Sequence, residues 1–271
     1  VEDDIDLVAA WMDGGTFQGL PDDLARCREG KVKAAKMQGW LRVIIAILIT
    51  LGVLSVASVP VMLRLDLGIL KGAPGLADAL LTQIGILVLS LALISIFTRG
   101  KISAYGFVRP TWPHFRRSVA YGTVAALLVQ GPITIIGRLA SWEVGHPATA
   151  GASLLEIAIV IWLIASTCEE IFYRGLIQSF LKPLEKVGIA IGRLRLSVPV
   201  VVAAVLFGLM HIPLLTLGAE TGFVCGIVVS AVVAGLVAGI LRQQSGSLVP
   251  AVVVHLLFNV VGNLLAHLGG A

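Results

Sequence analysis

Apolar residues fall into seven blocks along the chain, near 41–63, 76–98, 118–139, 153–180, 197–215, 221–241 and 248–267. About twenty apolar residues in a helix, rising about 1.5 Å each, cross a hydrocarbon core of about 30 Å. Breakers separate the blocks: KGAPG at 71–75, RPTWP at 109–113, GHP at 145–147 and SGS at 245–247. The break at 216–220, TLGAE, is short enough to make the fifth and sixth blocks a tight helical hairpin. The pattern predicts an all-α polytopic transmembrane helical bundle of about seven spans, eight at most.

Composition agrees with that reading. Only 13% of the 271 residues are charged and 57% are hydrophobic, whereas a soluble domain carries about 25% charge. Three regions follow. Residues 1–40 read as a cytosolic N-terminal segment, 41–150 as three transmembrane helices, and 151–267 as a core that holds the chemistry described below. The first region contains half of the sixteen acids, then a basic stretch from Arg26 to Lys36 that ends at Trp40. That stretch suits an interfacial helix on anionic lipid or a plain cytosolic flank. Its acidic start lacks the positive charge of a cleaved signal peptide, so insertion is expected to be directed by the first span.

The net charge of +4 comes from basic residues between the spans. Sixteen Lys and Arg fall on one side of a seven-span arrangement, including Arg42, Arg99, Lys101, Lys182 and Arg242, against Arg64, Lys71 and Arg138 on the other. This asymmetry places the N-terminus in the cytoplasm. It also accounts for the basic balance without nucleic acid. Cys27, Cys168 and Cys225 are odd in number and widely spaced, which excludes a disulfide framework or zinc knuckle.

The fourth block contains Glu169, Glu170 and Arg174 well inside a span. A charge at mid-bilayer costs about 2.5–3.5 kcal/mol on insertion scales, so three in six residues need compensation. Glu170 and Arg174 are four apart and pair along one helix face. Glu169 is rotated about 100° from Glu170 and has no partner within its own helix. The fifth block carries His211, with Phe207 four residues before it, and the seventh carries His255 and Asn259 on one face. At about 1.5 Å per residue from the cytoplasmic ends, Glu169 lies roughly 17 Å deep, His211 roughly 21 Å, His255 roughly 11 Å and Asn259 roughly 17 Å. A lone intramembrane His or Asn is often only a hydrogen bond between helices, and a Glu–Arg pair is often a structural lock. Six such groups converging at one depth on three helices point instead to a functional site.

The ordered motifs Glu169-Glu170-Ile171-Phe172-Tyr173-Arg174, Phe207-Gly208-Leu209-Met210-His211 and His255-Leu256-Leu257-Phe258-Asn259 resemble the EExxxR, FxxxH and HxxxN set of the CPBP family of intramembrane proteases. That family includes the type II CAAX prenyl endopeptidases and prokaryotic Abi relatives. The resemblance covers about 150–267. It implies that Glu169 and His211 activate a water, that His255 and Asn259 stabilise the tetrahedral oxyanion, and that Glu170 and Arg174 hold the helix, with Phe207 in support. It also implies a cavity open to the cytoplasmic side. The family has been described both as metalloproteases and as glutamate proteases. A metal-free site is preferred here, because HExxH is absent and Asn is a rare zinc ligand. A zinc site would use Glu169, His211 and His255. Cys168 beside Glu169 suggests a thiol nucleophile, but a buried apolar Cys is usually inert.

The sixth block has Gly218, Gly222, Gly226, Gly235 and Gly239 at four-residue spacing, a small face suited to close packing within the monomer. The function expected is an integral, multi-pass membrane endopeptidase, in the inner or plasma membrane if its source is a prokaryote. It would cut membrane-anchored protein or peptide substrates near their C-termini. The rivals are a transporter or proton relay, and a non-catalytic immunity or scaffold protein on the same fold.

Overall fold

The computed structural model of the protein describes residues 22–65, 68–142, 147–192 and 194–267. It is an all-α membrane bundle. The helices are α1 (Asp22–Ala57), α2 (Val59–Met62), α3 (Pro74–Thr98), α4 (Trp112–Leu139), α5 (the run 154–180), α6 (Val198–Leu209), α7 (Thr221–Ser245) and α8 (Val249–His267). Six crossings are long and apolar enough to span a membrane: Met37–Met62, Pro74–Thr98, Trp112–Leu139, Val198–Leu217, Thr221–Ser245 and Val249–Ala266. The seventh is α5.

The basic stretch after residue 22 continues straight into the first span, because α1 runs unbroken through Trp40. The more N-terminal part of the 1–40 segment lies outside the described residues.

α5 is the centre of the bundle and winds unevenly. Ser153 caps it in a capping box: its hydroxyl accepts from the Glu156 N–H, and the Glu156 carboxylate accepts from the Ser153 N–H at 2.7 Å. The run then passes through Leu154–Ile157 (α), Ala158–Ala165 (π), Ser166–Glu170 (α), Ile171–Ile177 (π) and Gln178–Phe180 (α). Two hydroxyls bond five residues back, in step with the wider winding: Ser166 to the Ile161 carbonyl at 3.5 Å, and Ser179 to the Arg174 carbonyl at 3.3 Å. The two glutamates occupy the one α-helical turn between the π stretches, the kind of local irregularity that often marks a functional site.

Every residue from Ile171 to Gln178 is buried, as expected for a helix surrounded on all sides. Phe172, Tyr173, Leu176 and Ile177 pack in one core with Ala46 and Val53 of α1, Ile86 and Ile94 of α3, and Phe207 of α6. A second core joins Ala126 of α4, Ala234 and Ala238 of α7, and Val254 and Phe258 of α8. Large apolar side chains such as Leu48, Leu51, Val88, Leu128, Leu155 and Leu163 face outward, a surface that suits lipid and not water.

Two details depart from the sequence expectation. α6 stops at Leu209, so His211 stands just beyond its end, at the head of a short 3₁₀ turn, Ile212–Leu217. The cause is Pro213, which disfavours α geometry in the residue before it. Gly218 belongs to the turn that follows (φ +83°), so the small face of α7 begins at Gly222.

The connection 181–197 also contains an antiparallel hairpin, β1 (Gly188–Ile191) and β2 (Leu194–Ser197), pairing Gly188 with Ser197 and Ile191 with Leu194. The loops assigned by charge to one membrane face do meet. The Leu248 N–H donates to the Gly106 carbonyl at 3.0 Å, Ser247 Oγ to the Val108 carbonyl at 2.6 Å, and Ser197 Oγ to Gln243 Oε1 at 2.7 Å.

Candidate active site

The site starts from a neutralised carboxylate. Arg174 and Glu170 are both essentially without solvent exposure, and Arg174 Nη1 donates to Glu170 Oε1 at 2.8 Å. This is the i, i+4 pair that the spacing predicts. Its guanidinium also lies 4.8 Å from the centre of the Phe207 ring, a cation–π contact that helps hold a buried charge. The small face of α7 makes room for it. A Cβ at Gly235 would lie 2.7 Å from Arg174 Nη2 and 2.9 Å from Ala204 Cα.

The same Glu170 oxygen meets His255 Nδ1 at 2.9 Å. An ionised carboxylate only accepts, so Nδ1 carries the hydrogen and the ring is held with Nε2 facing the other way. Nε2 points at Glu169 Oε2, 3.6 Å off. Nε2 is therefore the ring nitrogen that faces this second carboxylate. Glu169 has a second partner. Gln83 of α3 is 7% exposed, and its Nε2 donates to Glu169 Oε1 at 2.5 Å. One continuous chain therefore runs Arg174, Glu170, His255, Glu169, Gln83.

Phe207 sits at the hub. Its ring lies 5.0 Å from that of His255 and 5.5 Å from that of His211, edge-on to both. His211 Nδ1 is 3.1 Å from the Phe207 carbonyl. A carbonyl cannot donate, so Nδ1–H does, and Nε2 is left as the basic nitrogen. Asn259 is placed differently from the role that the resemblance implies. Its amide donates to Ser166 Oγ at 3.0 Å and to the Ile161 carbonyl at 3.4 Å, tying α8 to the first π stretch of α5. Exposure rises across the cluster. Glu170 and Arg174 are sealed, Glu169 and His255 nearly so, while His211 and Asn259 are half-buried.

Residues 151–261 match the family described as Rce1-like, type II CAAX prenyl endopeptidase Rce1-like. They form a domain of that family. No curated protein and no solved structure matches the chain. The Rce1-like domain thus spans α5 to α8 and contains Glu169, Glu170, Arg174, Phe207, His211, His255 and Asn259. The matched family is one of CAAX-type membrane peptidases, and the match covers residues 151–261 only.

Gln83 lies outside the matched segment and was missed in the sequence. The available signal was an amide in the interior of an apolar block, LLTQIGILVL, a position that needs a polar partner in lipid. Cys168 is buried beside Glu169.

The donor set can be tested against zinc. Among the described residues, no three His, Cys, Asp or Glu side chains converge as a metal-holding group. His255 Nδ1 is held by Glu170 and His211 Nδ1 by a backbone carbonyl, which leaves Nε2 of each ring as the nitrogen that could bind a metal. Glu169, His211 and His255 are not brought together as a three-ligand group, and no step below is routed through a metal.

The cavity on the basic side is not the substrate cavity anticipated for the cluster. A space of about 230 Å³ opens there, and none of its lining residues belongs to the cluster. Arg174 packed on Gly235 and Gln178 packed near Gly239 fill the bundle between the two. The less buried members of the cluster, His211 and Asn259, lie on the side away from Arg174.

Proposed function

We propose that this protein is an intramembrane endopeptidase that hydrolyses a peptide bond of membrane-anchored proteins or peptides, near their C-termini, with water activated by Glu169 and His211. The observation that carries the proposal is the chain Arg174–Glu170–His255–Glu169. A fully buried ion pair fixes a histidine, and that histidine faces a second carboxylate with its remaining nitrogen.

In this reading the water oxygen attacks the scissile carbonyl carbon while Glu169 accepts its proton, with His211 Nε2 accepting the water's other hydrogen bond. His255, made an imidazolium by the Glu170 carboxylate behind it, donates through Nε2 to the developing oxyanion. The tetrahedral intermediate collapses, the C–N bond breaks, and the proton held on Glu169 passes to the leaving amine. Gln83 holds Glu169 in place. Asn259 acts as a positioning residue through Ser166.

The test uses cells that carry the wild-type chain, Glu169→Ala or His211→Ala, compared by C-terminal proteomics. A membrane protein that loses its tail only with the wild type is then cleaved by purified full-length protein in proteoliposomes. Both variants should leave the tail intact while remaining folded. Cleavage that survives both substitutions sinks the proposal, and Glu169-dependent ion flux without cleavage replaces it with the relay.

A further inference from the structure

The cavity at the basic end is a built polar site that the peptidase chemistry does not use. Its walls come from the ends of α5, α6 and α7 and from the 102–106 turn. Arg242, in the last turn of α7, is half-buried. Its Nη2 donates to Ser179 Oγ at 3.3 Å, and its Nε is buried with no protein partner. The guanidinium lies flat on Gly106, where a Cβ would come within 2.6–2.8 Å of it, so its position is fixed.

Gln178 is 6% exposed. Its Nε2 donates to the Gly239 carbonyl at 3.0 Å, and its Oε1 has no protein partner. Gln243 Oε1 accepts from Ser197 Oγ, which leaves its amide hydrogens for the cavity it lines. Lys182 stands exposed at the rim, and Glu185 is the one acid in the lining. Two cations against one carboxylate, with the Gln243 amide donor between them, favour an anion with several acceptor oxygens.

Depth identifies the source of that anion. The cavity is bounded by Pro199, Arg242 and Gly246, at or just beyond the ends of the spans Val198–Leu217 and Thr221–Ser245. That is the level of lipid headgroups, on the membrane face that collects the basic loops. Basic pockets between transmembrane helices at this level bind phosphorylated headgroups. We infer that this cavity is a binding site for the phosphate group of an anionic phospholipid headgroup, held by Arg242 and Lys182 with Gln243. It stands apart from the peptidase cluster and does not depend on that reading.

The experiment measures thermal stability and lipid retention by native mass spectrometry for the purified full chain. The wild type, Lys182→Gln and Arg242→Gln are each titrated with short-chain phosphatidylglycerol, short-chain phosphatidylcholine or inorganic phosphate. Phosphatidylglycerol should raise the melting temperature of the wild type and be retained, at least tenfold more tightly than phosphatidylcholine. Both variants should lose about tenfold in that affinity. Lys182→Gln, at the exposed rim, keeps the test valid if Arg242→Gln does not fold. Equal stabilisation by inorganic phosphate overturns the lipid assignment. Stabilisation absent in the wild type, or unchanged in Lys182→Gln, overturns the site.

Discussion

Removing the guanidinium from the buried pair tests the whole chain of contacts at its root. In Arg174→Met the volume is nearly kept, but Glu170, with essentially no exposure, loses the partner 2.8 Å away. Breaking a buried ion pair from one side costs about 3–5 kcal/mol, because the remaining charge is left uncompensated. The double variant Arg174→Met, Glu170→Gln removes both charges. Gln keeps the shape and can still accept from His255 Nδ1, so most of that loss should return, leaving the double variant within about 1–2 kcal/mol of wild type. Activity should not return with it, because a neutral amide cannot stabilise the His255 imidazolium as a carboxylate does. The assay is denaturant unfolding of the protein in detergent, read together with cleavage of the substrate found by proteomics. Two results would refute the reasoning: Arg174→Met as stable as wild type, or a double variant that cleaves at the wild-type rate.

Gln83→Leu removes a hydrogen bond to a charged carboxylate, worth about 1.5–3 kcal/mol, and should lower kcat/KM about tenfold to a hundredfold while the protein stays folded. Unchanged kinetics would separate α3 from the site. Gly235→Ala puts a Cβ 2.7 Å from Arg174 Nη2 and 2.9 Å from Ala204 Cα, so overpacking should destabilise by about 1–3 kcal/mol. A Gly131→Ala control, where a Cβ meets nothing within 4 Å, should leave stability and activity untouched. Dialysis against a strong chelator should leave cleavage unchanged under the metal-free reading. Loss of cleavage restored by added zinc would overturn that reading.

The spans were legible because lipid demands long apolar runs, and such runs are visible residue by residue. The α5 winding was not. Nothing in LLEIAIVIWLIASTCEEIFYRGLI distinguishes π from α periodicity, since the run is apolar nearly all round and lacks a polar face to mark the register. The hairpin at 188–197 was passed over because basic loops between spans were counted for charge alone. Yet apolar and other residues alternate through IAIGRLRLS, which is the strand signal.

The site divides along the same physical line. Glu170 and Arg174 could be paired from spacing, because the partner lies one helical turn away. Glu169 could be recognised as needing a partner, but not given one, since Gln83 is 86 positions distant and long-range contacts leave no periodicity. His255 shows how far motif order reaches. The sequence placed it at the depth of Glu169 but could not say which nitrogen faced which group. That follows only from Glu170 Oε1 serving Arg174 and His255 together, at 2.8 and 2.9 Å. One oxygen shared by both partners makes the ion pair part of the chemistry. Arg174 pairs with the Glu170 carboxylate, and that carboxylate in turn holds Nδ1 of His255 and aims its other nitrogen at Glu169.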